Sequence, residues 1–473
     1  MPTCAWCETQ KEHFMKVKFI GFGFIALFFL FGCVVIKAET FTAYITSAQE
    51  VPANASTATA YARVFLDEAA GTISFTVTFS GLSSNQTAAH IHAPGAIGAN
   101  GAAVITLGTP GGTSNTISGS SPISPTLIAQ MRSHLAYINI HSANFPNGEI
   151  RGQLAQKRPV DYDGDGKTDY SVLRFPSGSC PGVSQITYWN RNSQGLASNQ
   201  TVPWGNACTD FPAPGDFDGD GKDDLSVYRA GASAGQQSFF LIFRSSDNTA
   251  MFVPWGIFGD QTVARDYDGD GRTDVAIFRR GVATTDQTFW WIKQSSDNSV
   301  QIIGFGTTGN GTLTFDSPIP GDYDGDGKFD LAVYRFGMTP ANNYIIRRSS
   351  DSVVTFQQWG NFQTDYIPPG DYDGDGKFDL AAARTGATST SPMIWYIKRS
   401  SDGAVRIQQF GISSDIPTQG DYDGDGVTDI SVFRGAGNGS DSIFYAHSSF
   451  TNSLIANNWG LNGDFAVNSF DTR

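Results

Sequence analysis

After residue 156, apolar residues fall in short runs of four to seven, each closed by Gly, Ser, Asp or Asn. Runs of that length between turn residues predict β-strands, and no stretch there carries a helical period long enough to compete. Some runs, such as LAVY at 331–334, are apolar at consecutive positions. That is the pattern of a strand covered on both faces. Before residue 156 the pattern differs. TISFTVTF at 72–79 alternates apolar with polar, as a half-buried strand does. Residues 19–36, FIGFGFIALFFLFGCVVI, form one unbroken apolar stretch preceded by Lys16 and Lys18.

The strand pattern repeats. DYDGDGKTDYSVLR (161–174), DFDGDGKDDLSVYR (216–229), DYDGDGRTDVAIFR (266–279), DYDGDGKFDLAVYR (322–335), DYDGDGKFDLAAAR (371–384) and DYDGDGVTDISVFR (421–434) start 55, 50, 56, 49 and 50 residues apart. Each unit continues with an aromatic-rich run such as TFWWIKQSSD (288–297). A third run follows, ending at Trp204-Gly205, Trp255-Gly256, Phe305-Gly306, Trp359-Gly360, Phe410-Gly411 or Trp459-Gly460. A last run leads into the next acidic loop. SSDN and SSDG read as hairpin turns between the second and third runs. Four-stranded units of about fifty residues in tandem predict the blades of a β-propeller. Six motifs imply six blades. The stretch GDFAVNSFD (463–471) resembles one more loop-leading strand, which either closes the ring against the first blade or belongs to a degenerate seventh.

The acidic loop reads D-x-D-G-D-G-x-x-D. Like charges so close repel, which makes the crowding informative. Four carboxylates at positions 1, 3, 5 and 9, with the carbonyl of position 7, are the oxygen ligands of a hard cation, and Gly at position 6 permits the wrapping turn. Calcium fits this set better than magnesium, which resists losing so much water. The ligands are Asp161, Asp163, Asp165, Lys167 and Asp169 in the first copy, then Asp216, Asp218, Asp220, Lys222 and Asp224 in the second. The third copy has Asp266, Asp268, Asp270, Arg272 and Asp274, and the fourth Asp322, Asp324, Asp326, Lys328 and Asp330. The fifth has Asp371, Asp373, Asp375, Lys377 and Asp379, and the sixth Asp421, Asp423, Asp425, Val427 and Asp429. The loops are not EF-hands. Position 12 is apolar where Glu belongs, and a strand follows where a helix should start. These carboxylates are 24 of the 45 acidic residues, and six dications would bring the formal charge from −14 to −2.

This pattern resembles the FG-GAP/VCBS family of calcium-binding β-propellers, related in design to the integrin α-subunit head, over about residues 158–473. The resemblance implies that each loop joins the first and second strands of its blade. It fixes a scaffold and an ion more than a function, since such propellers serve adhesion, lectin-like binding and enzyme accessory roles. With that strand order, Cys180 and Cys208 fall on the face opposite the loops and are expected to pair. Arg174, Arg229, Arg279, Arg335, Arg384 and Arg434 end the second strands and point to the same face. They either tie blade to blade or form a ring that holds an anion.

Residues 39–156 form a separate domain, followed by the propeller at 157–473. EVP near its start, AAHIHAPG (88–95) and YINIHSANFPNGEIRGQL (137–154) resemble the CHRD domain, the module named after chordin and also found in bacterial secreted proteins. The resemblance implies an all-β, sandwich-like module. His90 and His92 lie two apart on one strand face, and His141 lies on another strand. Three converging imidazoles can bind zinc or copper, and the alternative is hydrogen bonding within the sandwich. Glu149 and Arg151 alternate on the last strand as an ion pair.

Composition and the N-terminus complete the expectation. The net charge of −14 argues against nucleic acid as a partner. Residues 1–38 read as an upstream extension and a signal peptide starting at Met15, cleaved after Ala38. An uncleaved anchor or a lipidated Cys33 would instead tie the chain to a membrane. Cys4 and Cys7 form an incidental CxxC without redox context. The chain is thus expected to be an exported all-β protein, secreted, periplasmic or on the cell surface, that binds an extracellular protein or glycan with calcium stiffening its loops. The propeller carries no catalytic constellation. A metalloenzyme centred on the histidines and a lectin-like propeller are the rival expectations.

Overall fold

The computed structural model describes residues 38–468, apart from 69, 97, 133–134, 157–159, 165, 176–184, 194–199, 221, 270–271, 310–313, 338–343, 362–363 and 436–440. Residues 1–37, with the expected signal segment and Cys4, Cys7 and Cys33, lie outside the described residues. Among the described residues, no helix is long and apolar enough to cross a membrane.

Residues 38–156 form one antiparallel sheet of nine strands curled around a single core. The strand Ala38–Thr46 pairs along its length with Thr59–Asp67, and the ladder continues through Thr72–Ser80 to Asn115–Pro122. Its far end pairs Thr46 with Arg151 of Ile150–Gln153, and that ladder continues through Tyr137–Ser142 and Gln86–His92 to Ala103–Thr106. Two halves pack on one core, as a sandwich requires, but the first strand runs through both. Alternation decides which side chains enter. In Thr72–Ser80, Ile73, Phe75, Val77 and Phe79 are buried, as the period of two demands. One helix, Pro125–Arg132, was not foreseen. Ser124 Oγ accepts the Leu127 N–H at 3.2 Å, and Pro125 opens the first turn, where a missing N–H costs nothing. Leu127, Ile128 and Met131 enter the core from it.

Six four-stranded sheets follow. The second blade shows the plan: Asp210–Pro212, Leu225–Arg229, Gln237–Phe243 and Ala250–Ile257, from first strand to fourth. The second strands are buried at four successive residues, including Leu225–Tyr228 and Val275–Phe278. Neighbouring blades cover both faces: Ala276, Phe278 and Trp290 of the third blade pack with Leu331, Val333 and Ile345 of the fourth. The C-terminal strand settles the blade count. Phe465–Ala466 pairs with Tyr170–Arg174, placing Ala466 opposite Val172 and Phe465 opposite Leu173. The end of the chain supplies the first strand of the first blade, and the ring closes at six.

Candidate metal centres

In the other five blades the acidic loop joins the first strand to the second, as 216–224 joins Asp210–Pro212 to Leu225–Arg229. The fourth loop shows the internal wiring. The Asp322 carboxylate accepts the N–H of Gly325 at 2.6 Å and of Gly327 at 2.9 Å. Both glycines sit at positive φ, 76° and 90°, which a side chain resists. Asp330 accepts from Tyr323 N–H at 2.9 Å and from Ser349 N–H at 2.6 Å. The turn between third and fourth strands therefore belongs to the site: Ser350 Oγ donates to Asp324 at 2.5 Å and Ser349 Oγ to Asp326 at 2.8 Å. The same serine contacts recur at Ser245 and Ser246, and at Ser400 and Ser401. In the sequence these serines signal only a turn, although SSD stands at the same place in successive repeats.

Positions 1, 3 and 9 converge. One carboxylate oxygen from each lies within 4.8 Å of the others in Asp161, Asp163 and Asp169, in Asp216, Asp218 and Asp224, in Asp266, Asp268 and Asp274, and in Asp322, Asp324 and Asp330. The fifth and sixth loops repeat the wiring, with Asp371 and Asp421 accepting from Gly374 and Gly424 at 2.7 and 2.6 Å. Position 5 is turned to the loop's own backbone: Asp220, Asp326, Asp375 and Asp425 accept the N–H of Lys222, Lys328, Lys377 and Val427. Asp165 and Asp270 lie outside the described residues. Burial, with neighbouring carboxylates adding, pushes Asp224 and Asp330 up to about 7 and Asp379 to about 8. The same causes raise Asp322, Asp425 and Asp429. An oxygen-only donor set, already desolvated and mutually repelling, fits a hard dication.

The loops are joined in a ring. The N–H of position 8 in each loop donates to the carbonyl of position 1 in the preceding blade's loop: Asp223 to Asp161, Thr273 to Asp216, Phe329 to Asp266, Phe378 to Asp322, Thr428 to Asp371 and Thr168 to Asp421, all at 2.7–2.9 Å. The position-7 side chain also reaches across. A Cβ on Gly164, Gly219 or Gly325 would come within 2.9 Å of Lys222, Arg272 or Lys377. The N-terminal domain touches this face: Arg63 donates to the Asp220 carbonyl, and Gln49 Nε2 to the Gly424 carbonyl at 3.3 Å.

The six arginines do not bridge blades through their ion pairs: each pairs with an aspartate of its own blade, and that aspartate ties blade to blade. Arg174, Arg229, Arg279, Arg335, Arg384 and Arg434 form two-pronged pairs with Asp464, Asp210, Asp260, Asp316, Asp365 and Asp415. Each of these aspartates also accepts a backbone N–H just after the Trp-Gly or Phe-Gly of the preceding blade, as Asp365 does from Asn361 at 2.6 Å. These aspartates escaped the sequence reading, yet five of them stand 19 residues before their arginine. The Trp-Gly tryptophans do similar work. The indole N–H of Trp204, Trp255, Trp359 and Trp459 donates to a carbonyl of the next blade, at Leu241, Trp291, Tyr396 and Trp189. Where Phe305 and Phe410 replace them, Trp290 and Trp395 donate to the phenylalanine's carbonyl instead. Residues from five blades line a cavity of about 410 Å³, among them Phe211, Val263, Ile319, Pro369 and Gln419.

Cys208 is disulfide-bonded, while Cys180 lies outside the described residues. His90, His92 and His141 do converge, their ligating nitrogens all within 4.8 Å of one another. Burial and the neighbouring rings lower the pKa of His90 and His141, so both are neutral imidazoles at neutral pH. Glu149 and Arg151 do not form the expected pair. Glu149 is held by Ser56, Ser83 and Ser142, while Arg151 bonds to Ala96, Asn100 and Gln153 and has Glu50 as its acidic neighbour. Glu149 stands just before the strand Ile150–Gln153, and serines from three other segments take up its carboxylate.

A closed six-bladed propeller with an acidic loop in each repeat, behind a curled all-β domain, defines a two-module class. Residues 41–154 match the CHRD domain, and residues 161–227 and 266–333 match the FG-GAP-like repeat. The fifth and sixth blades, outside these matches, share the same loop wiring. No curated protein matches the chain. These modules fit a non-catalytic binding or adhesion role, and both are typical of extracellular proteins.

Proposed function

We propose that the chain is an exported, non-catalytic binding or adhesion protein whose propeller is stiffened by calcium at six acidic loops. The convergence of positions 1, 3 and 9 in a buried, oxygen-only cluster carries this reading. Calcium offsets the burial, and the smaller repulsion from Asp324, that hold Asp330 near 7, and locks a loop whose backbone is bonded to the next. Each ion thereby acts on two blades. Residues 1–38 direct export, with cleavage after Ala38 leaving the strand 39–46 to open the mature chain.

The ligand is an extracellular protein in preference to a glycan or nucleic acid. The Trp-Gly tryptophans commit their indole N–H to bonds between blades, so that group is not available to a sugar. Four fourth strands each present an exposed apolar residue: Phe252, Phe356, Ile407 and Leu454 are 54–64% exposed. The test is calorimetric titration of the chelator-stripped chain with calcium and with magnesium. Strong calcium binding and weak magnesium binding are expected. Equal affinity for both, or none, would refute the calcium reading. A glycan array that lights up would replace the protein ligand with the lectin reading.

A further inference from the structure

We propose that His90, His92 and His141 form a transition-metal site for zinc or copper, separate from the calcium loops and on the other module. The residues share one face of two paired strands. Ala88 stands opposite His141, so positions 88, 90 and 92 and position 141 all point the same way. The opposite face of these strands, with Ala89, Ile91, Ile138 and Ile140, is packed into the core. The strands are therefore rigid, and the imidazoles stand on their outer side.

Distances match a metal. His90 Nδ1 lies 3.3 Å from His141 Nε2. Two nitrogens bound to one tetrahedral zinc at about 2.05 Å are about 3.3 Å apart. Two tautomers are fixed. His92 Nδ1 is 3.0 Å from the Gly101 carbonyl and His141 Nδ1 is 3.0 Å from the Pro146 carbonyl. A carbonyl only accepts, so both Nδ1 atoms carry the proton and both Nε2 lone pairs face the cluster. A ring nitrogen donating to a backbone carbonyl is the usual outer support of a metal-bound imidazole. The His92 ring is further fixed by stacking on Tyr137, at 4.9 Å and 12°.

Hydrogen bonding alone does not account for the cluster. A proton on His90 Nδ1 would satisfy His141 Nε2. It would leave His92 Nε2, which is buried and has no hydrogen-bond partner. One cation satisfies all three nitrogens. Three imidazoles are too soft and too poor in oxygen for calcium. They leave a fourth position for water or an anionic oxygen donor, as open zinc sites do.

The test uses the full mature chain, purified without affinity metal, stripped with chelator and returned to excess calcium so that the acidic loops are filled. Cobalt(II) is titrated while the visible spectrum is recorded, then displaced with zinc. The expected result is one equivalent of cobalt with the intense bands of a four-coordinate ion, displaced by one equivalent of zinc. His92→Gln and His141→Gln should each weaken binding by about 100-fold or more, and His447→Gln should leave it unchanged. Copper(II) in place of cobalt, read by electron paramagnetic resonance, should show nitrogen coupling that both variants reduce. If the variants misfold, the wild-type spectra still decide. Only a weak six-coordinate cobalt spectrum, or binding unaffected by the histidine changes, would overturn the proposal. Because calcium is saturating throughout, this failure would leave the loop reading intact.

Discussion

Asp464→Ala probes how the ring is held shut. The Asp464 carboxylate accepts from Arg174 Nε at 2.9 Å and Nη2 at 2.8 Å, and from the Leu461 N–H at 2.7 Å. Its side chain is 3% exposed, while that of Arg174 is 29% exposed. A charge-assisted hydrogen bond contributes about 1.5–3 kcal/mol. The partly solvated guanidinium recovers some hydration once its partner is gone, so the two bonds together amount to about 3 kcal/mol. At about 2 °C per kcal/mol for a large domain, the melting temperature should fall by about 6 °C. Asp365→Ala removes the same bonds, to Arg384 at 2.8 and 2.9 Å, but within covalently continuous chain. Asp464 instead anchors a closing strand of two residues, Phe465–Ala466. Its loss should therefore cost more than that of Asp365. The assay is thermal unfolding followed by tryptophan fluorescence in saturating calcium. A melting temperature for Asp464→Ala within about 1 °C of wild type, or a larger fall for Asp365→Ala, would refute the reasoning.

The chelator-stripped chain should be more stable at pH 5 than at pH 8. Asp224 and Asp330 near 7 and Asp379 near 8 bind protons in the folded state that the unfolded chain has released above about pH 4, so stability falls as pH rises through 7–8. Added calcium should then raise the melting temperature far more at pH 8 than at pH 5; a flat profile counts against the crowded-carboxylate account. Gly325→Ala places a Cβ at φ 76°, 2.9 Å from Lys377, and should weaken one calcium site by about tenfold, from a strain of about 1–2 kcal/mol; six unchanged sites by calorimetry would contradict it. Arg63→Ala removes the bond to the Asp220 carbonyl and should loosen the N-terminal domain from the loop face, read as faster limited proteolysis between the domains; an unchanged rate would show that Arg63 does not hold them together.

The propeller was legible because its signals are local and repeated. The consecutive apolar run of LAVY predicted burial on both faces, and Leu331, Ala332, Val333 and Tyr334 are all buried. The loop aspartates announced themselves by spacing. What escaped was whatever depends on neighbours distant in sequence. Asp210 and Asp260 look like ordinary turn residues until the preceding blade brings a backbone N–H to each. Ser349 and Ser350 look like turn formers until the hairpin lies over Asp326 and Asp324. The closing partner of Tyr170–Arg174 is almost three hundred residues away, at Phe465–Ala466, so the sequence left six and seven blades both open. In the N-terminal domain the His-x-His spacing predicted one shared face. The proximity of His141 depended on strand order, which alternation along one strand does not encode.

The most direct measurement is elemental analysis by inductively coupled plasma mass spectrometry of the mature chain, purified without chelator or affinity metal, followed by chelation and add-back. The account predicts about six calcium ions per chain and a melting temperature that falls on chelation and returns with calcium. Little calcium, with no thermal stabilisation on adding it back, would contradict the claim that the acidic loops exist to hold ions.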